Sequence, residues 1–214
     1  MPIAHSGPIT YSEFSDDGRF IATASMDNTI ILWDVASAKL IRKLEGHDDF
    51  LKEVKFNHNS SILYSTSWDN KIKCWDVMSG ELIDILQPSG ENISSITISA
   101  NDDFLVCTTY DDKIDVWNLN NKNKTTLSTN IESLIGVSIN QNNKLFIVCE
   151  SKVLIYDVEG SNYIKSMGIK KIYPQHKRIT NFSFDNKNNN LVFCFDKKHL
   201  HLFDSNLSHI EKLF

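Results

Sequence analysis

The chain is predicted to be all-β, built from about five four-stranded antiparallel repeats. Three observations predict it. First, five apolar runs each end in an aromatic residue followed by Asp or Asn: Trp33-Asp34, Trp75-Asp76, Trp117-Asn118, Tyr156-Asp157 and Phe203-Asp204. Those aromatics fall 42, 42, 39 and 47 residues apart, and a period in this range marks a repeat architecture. Second, each repeat divides into short runs rich in β-branched and aromatic residues, separated by Gly, Asn, Asp and Ser. Third, one such sheet cannot bury both faces alone, so copies must stack.

The second repeat shows the elements in order. Leu51 to Phe56 reads as a first strand, with the polar turn 57–60 after it. Ile62 to Thr66 is a nearly all-apolar second strand. The tight turn 68–70 leads to a third strand, Lys71 to Trp75, and the turn 78–80 to a fourth, Glu81 to Leu86. The first repeat has the same layout, with turns at Ser15–Gly18 and Asp27-Asn28. The third runs from Ile93 to about Leu127. The fourth starts near Leu134 and has a shortened second hairpin, and the fifth runs from Ile179 with an Asn-rich first turn. Blade limits are expected near 5–45, 46–87, 88–129, 130–170 and 171–214, with 1–214 as one domain. Radial stacking of such meanders gives a β-propeller.

Gly46-His47 opens the second repeat, Ser67-Trp68-Asp69 fills its turn and Trp75-Asp76 closes it. With these residues the chain resembles the WD-repeat family over nearly its whole length, the last two repeats being degenerate. In that family a His, a Ser or Thr, an Asp and the Trp form a hydrogen-bonded chain within a blade. Matching positions here are His5, Thr23, Asp27 and Trp33, then His47, Ser65, Asp69 and Trp75. A His beside an Asp also suits general-base catalysis, but recurrence in two blades favours a structural role. The third repeat keeps Asp111 and Trp117 with Ser89 and Cys107 at the other positions. The fourth and fifth keep at most His176 and Asp196 and are expected to rest on apolar packing.

The resemblance also implies a binding face. The residue before each turn Asp points to the narrow face of a propeller, here Met26, Trp68 and Tyr110. Residues bracketing the first apolar position of each inner strand reach the same face: Phe50 and Lys52, with Arg178 and Thr180 in the fifth repeat. Met26, Phe50, Trp68 and Tyr110 beside the single cation Lys52 form an expected partner patch, since aromatic and Met residues are enriched at interfaces. The competing expectation is that Trp68 and Phe50 fold back as packing. Five blades leave three arrangements open: a tight ring, part of a larger propeller, or a propeller completed by a partner. An incomplete or partner-completed form is preferred.

Composition excludes several classes. A hydrophobic fraction of 41% and a charged fraction of 23% describe an ordinary globular chain. Net charge is −5, with no run of basic residues, so direct nucleic-acid binding is not expected. The N-terminus lacks a basic and an apolar region, so no signal peptide is expected. No apolar run reaches a membrane span. Cys74, Cys107, Cys149 and Cys194 stand singly, which points to buried thiols in a reducing compartment, not zinc or disulfides. No glycine-rich phosphate loop, His-Glu-x-x-His motif or third ligand beside His199 and His201 occurs. No catalytic residue, cofactor or metal is therefore expected. Ala36 and Met78 stand where some ubiquitin-ligase adaptors of the family carry Arg, which argues against that role. The expected function is a non-catalytic scaffold subunit of an intracellular complex, cytoplasmic or nuclear, binding partner segments on the propeller face. An RNA-associated specificity subunit and, further off, a propeller enzyme are the alternatives.

Overall fold

The computed structural model describes residues 4–127, 133–159, 162–168, 178–185 and 190–213. Among the described residues, twenty strands form five four-stranded antiparallel sheets, each joined in sequence order. Sheet one holds β1 (Ile9–Phe14), β2 (Phe20–Ser25), β3 (Thr29–Asp34) and β4 (Lys39–Glu45). Sheet two holds β5 (Leu51–Phe56), β6 (Ile62–Ser67), β7 (Ile72–Asp76) and β8 (Leu82–Leu86). Sheet three holds β9 (Ile93–Ile98), β10 (Phe104–Thr109), β11 (Ile114–Asn118) and β12 (Lys124–Leu127). Sheet four holds β13 (Leu134–Ile139), β14 (Lys144–Cys149), β15 (Lys152–Asp157) and β16 (Asn162–Gly168). Sheet five holds β17 (Ile179–Asp185), β18 (Asn190–Phe195), β19 (His199–Asp204) and β20 (His209–Lys212). The all-β repeat of four-stranded blades is thus the observed architecture.

The chain forms two compact units. One comprises Met1–Ile96 with Thr109–Asp111, the other Thr97–Thr108 with Asp112–Phe214. The first unit packs around Ile30, Leu32, Leu51, Val54, Leu63 and Trp75, all essentially buried. The middle strands supply most of this core because they are paired on both sides and covered on both faces, as the near-continuous burial of β2, β3 and β6 records. Gly80, at φ +75°, lies so close to Arg42 that a Cβ there would stand 2.0 Å from its Cδ, so a larger residue would strain this turn and push the Arg42 side chain aside.

The second unit has two apolar clusters. One gathers Ile114, Leu145, Ile147 and Cys149. The other gathers Phe146, Phe193, Phe195 and Phe203. Phe193 meets Phe203 edge-on at 5.2 Å between ring centres, and Phe146 stacks on Phe184 at 5.5 Å. Gly136 leaves room for the Phe182 ring, which a Cβ would meet at 2.9 Å.

Turn chemistry repeats with the strands. Gly18, Ser60, Asp102 and Asn143 take positive φ in the first hairpin, and Asn28, Asn70 and Asp112 in the second. Asn, Asp and Gly tolerate this left-handed conformation best. The first hairpin has a second device that the motif reading missed. Ser15, Asn57, Ser99 and Asn140 are all buried, and each side chain accepts a main-chain N–H from beyond the turn, at 2.9, 2.8, 2.9 and 2.9 Å. Satisfied this way, a buried hydroxyl or amide holds the turn closed.

Candidate functional site

The positions of the loops follow from the polar chains behind them. In sheet two, His47 Nδ1 lies 2.7 Å from Asp69 Oδ2, and His47 Nε2 lies 2.8 Å from Ser65 Oγ. Trp75 Nε1–H donates to Ser65 Oγ at 2.8 Å. One proton assignment satisfies every group: Nδ1–H donates to Asp69, the Ser65 hydroxyl donates to Nε2, and the indole donates to that hydroxyl. Asp69 also accepts the main-chain N–H groups of Asp48 and Lys71, at 3.1 and 2.9 Å. Sheet one repeats the arrangement. His5 Nδ1 lies 3.0 Å from Asp27 Oδ2, His5 Nε2 lies 2.8 Å from Thr23 Oγ1, and Trp33 Nε1–H donates to Thr23 at 3.0 Å. Asp27 additionally accepts from Ser6 N–H and the Thr29 hydroxyl, at 2.8 and 2.6 Å. Both sets are inward-facing braces.

Burial holds the His47 imidazole below its ordinary value, against the opposing pull of the Asp69 hydrogen bond and charge. Burial alone would raise the Asp69 carboxyl, but the His47 hydrogen bond and main-chain donors outweigh it and hold the carboxyl low. The sign for stability is the same for both groups. Below about pH 6.5 the unfolded chain takes up a proton that folded His47 refuses, so stability falls on acidification. The Asp69 contribution is lost at still lower pH, as its carboxyl is finally protonated. The His47 contribution is therefore expected to be lost between pH 7 and pH 5, so that acidification over this range lowers the melting temperature of the intact chain more than that of His47→Gln. Parallel curves for the intact chain and the variant would contradict it.

A main-chain bond of one kind recurs at an equivalent loop position in each sheet. Met26 N–H donates to Pro8 O at 2.9 Å, Trp68 to Phe50 at 3.0 Å and Tyr110 to Asn92 at 3.0 Å. In the second unit the counterparts are Glu150 to Ser133 at 3.1 Å and Asp196 to Arg178 at 3.1 Å. Beside four of these five positions lies an irregularity in the inner strand. The β1, β5, β13 and β17 registers each skip one residue, namely Thr10, Lys52, Ile135 and Thr180. Such bulges re-aim a side chain.

At Lys52 the bulge sends the ammonium across the loop end of the first unit. It lies 4.5 Å from the Tyr110 ring centre and 5.5 Å from that of Trp68, and it donates to the Ile93 carbonyl. Trp68 is 58% exposed and Tyr110 69%, with Phe50 and Met26 also exposed. Neither Trp68 nor Phe50 is folded away into the core. Each cation–ring contact contributes about 0.5–1 kcal/mol at an exposed site.

Two features were not read from the sequence. Along the inner strands of the first unit, Lys55 Nζ lies 2.8 Å from Glu13 Oε1, and Glu53 accepts Ile96 N–H at 3.1 Å. Burial pushes both carboxyls up from their ordinary value. The alternation of β1 and β5 hinted at charges on one face but not at their pairing. In the second unit, Glu150, Arg178, Thr180, Asp196 and Lys197 line an open cavity of about 540 Å³, with Arg178 3.2 Å from Glu150. This loop end is ionic where that of the first unit is aromatic.

Repeat three departs from the brace as its residues require: the Cys107 thiol meets the Thr108 carbonyl at 3.6 Å, and Asp111 accepts Glu91 N–H at 3.1 Å. His176 lies outside the described residues. Burial pushes the Cys149 thiol up to about 11, far from a reactive thiolate. Among the described residues no group of three or more His, Cys, Asp or Glu is arranged to hold a metal ion, and no helix is long and apolar enough to cross a membrane.

Comparison with known proteins gives the family. Residues 2–34, 38–76 and 80–118 each match the family model described as WD domain, G-beta repeat, together just over half of the chain. Short segments resemble curated relatives. Over 42 residues the chain is 40% identical to nuclear distribution protein PAC1 of Mycosarcoma maydis, covering 20% of this chain and 9% of that protein. Over 53 residues it is 34% identical to the chromatin assembly factor 1 subunit FAS2 homolog of Oryza sativa subsp. japonica, covering 25% and 10%. Over 55 residues it is 36% identical to dynein assembly factor with WD repeat domains 1 of Xenopus laevis, covering 26% and 13%. The matched segments thus span about a tenth of each relative's length.

Proposed function

This chain belongs to the WD-repeat family, and from that premise we propose that it is a non-catalytic scaffold subunit of an intracellular complex. Its partner docks on Met26, Phe50, Lys52, Trp68 and Tyr110. The observation that carries this reading is the Lys52 ammonium set against two rings that are both more than half exposed. Large aromatic side chains left in water at fixed loop positions suit a partner that desolvates them. The cation is held by the Ile93 carbonyl and both ring faces, so the patch is preorganised and loses little freedom on binding.

Three further points support it. The names of the relatives refer to distribution and assembly roles, two of them as assembly factors. The net charge of −5 suits a protein partner better than a nucleic-acid backbone. The His-Asp pairs serve as blade braces on this reading, leaving the loops to bind.

A quantitative pull-down from the source cell tests it, comparing the intact chain with a Phe50→Ala, Trp68→Ala double variant whose circular dichroism is unchanged. Losing two central aromatic anchors should cost about 2 kcal/mol or more, at least a thirtyfold loss of affinity. Stoichiometric partners should disappear from the variant. An unchanged partner set would contradict the assignment of this face.

A further inference from the structure

We infer that one face of the first sheet is a self-association surface, and that its occupant is the fifth sheet of a second copy of this chain. The pairing registers divide sheet one into two faces. Ile9, Phe14, Ile21, Trp33 and Leu40 share one, here called the leading face. Ala22, Ala24, Ile30 and Leu32 share the other, the trailing face. Side chains alternate across every strand, so each sheet has the same two faces.

The described apolar clusters all join a trailing face to the leading face of the next sheet. In the first unit, Ala22, Ala24, Ile30 and Leu32 are buried in one cluster with Leu51, Phe56, Leu63 and Trp75 of sheet two. In the second unit, Phe104 and Val106 of sheet three meet Leu145 and Ile147 of sheet four. Phe146 and Val148 of sheet four then meet Phe193 and Phe195 of sheet five. What covers a leading face is therefore seen three times, and each time it is the trailing face of a like sheet.

The leading face of sheet one stands open in the intact chain. Ile9 and Phe14 are 57% and 59% exposed, whereas Leu51 and Phe56, at the same register positions in sheet two, are 0% and 3% exposed. Leu40 is exposed beside them. A contiguous apolar face of this kind marks an association site.

The chain also carries a free example of the face that fits. On sheet five, Asn181, Ser183, Val192, Cys194, Leu200 and Leu202 share the trailing face. Val192 and Cys194 stand in register where sheet one has Ala22 and Ala24, and Leu200 and Leu202 where it has Ile30 and Leu32. None of the six is buried, and five of them line a cavity of about 130 Å³. Neither face has a charged side chain at these positions, so stacking them desolvates no ion. Because the two faces differ, the copies join head to tail, each receiving with sheet one and donating sheet five.

Sedimentation of the full chain between roughly 1 and 100 μM tests this. The average mass should rise with concentration to about twice the monomer mass or more. Phe14→Lys blocks the receiving face, and Asn181→Lys with Ser183→Lys blocks the donating face. All three positions are exposed, so circular dichroism should be unchanged. Each variant alone should remain monomeric at every concentration. Mixed in equal amounts they should form a one-to-one dimer, since each retains the face that the other lacks. A monomeric intact chain would overturn the proposal, whether its own sheet, a longer chain or another protein covers the face. Association that survives Phe14→Lys would overturn it, as would a mixture that stays monomeric.

Discussion

Asp69→Ala is expected to lower the stability of the first unit by about 3–4 kcal/mol, one of the largest single-residue effects in the chain. The carboxylate is 4% exposed and accepts from the His47 imidazole and from the Asp48 and Lys71 main chain. Alanine leaves all three donors unmet. Each unmet buried donor costs about 1–3 kcal/mol, with the loop amides at the lower end because water can reach them. The loss should pass down the chain, since His47 then no longer orients Ser65 for the Trp75 indole. Urea unfolding followed by tryptophan fluorescence measures it. A loss below about 1 kcal/mol would mean that the His-Asp pair does not brace the blade.

In the second unit the largest effect is expected from Phe193→Ala, about 3–5 kcal/mol. Phe193 is fully buried, and the edges and faces of Phe195 and Phe203 meet it at 6.4 and 5.2 Å. Among the described residues the His, hydroxyl, Asp and Trp set of the first two sheets does not recur in sheet five, and the packed rings sit within its apolar cluster. Removing its middle member creates a cavity that the flanking rings, fixed on β18 and β19, cannot fill. Phe193→Leu should recover about half of the loss, because it restores volume without the ring contacts. Guanidinium unfolding of both variants checks the order. Equal stability of Phe193→Ala and wild type would show that sheet five is held by something else.

These two predictions also mark what could be read from residues alone. The closing aromatics at 33, 75, 117, 156 and 203 announce the repeat because each stands near the end of the third strand of its sheet. The His, hydroxyl, Asp and Trp positions are legible because hairpins of fixed length hold their spacing constant. The turn anchors Ser15, Asn57, Ser99 and Asn140 recur as regularly, but the change between Ser and Asn hides them from a search for one residue type. The bulge at Lys52 could not be read, because a bulge belongs to a pairing and not to a strand. Nor could the contact between Lys52 and Tyr110, which joins residues 58 apart in sequence. The Glu13 and Lys55 pair was hidden for the same reason, since alternation gives a face but not the neighbour it meets. Arg178 and Thr180 could be placed on the loop face by their spacing, whereas Glu150, Asp196 and Lys197, which line the cavity with them, could not, because they come from other hairpins.

The most direct test of the proposed docking face is photo-cross-linking in the source cell. A benzophenone-bearing phenylalanine replaces Tyr110, which keeps an aromatic ring at the site, and in a parallel strain replaces Ser205, in a turn on another sheet. The account predicts one dominant protein adduct from position 110, lost when Trp68→Ala is added, and no such adduct from position 205. The same adduct from both positions, or none from position 110, would contradict it.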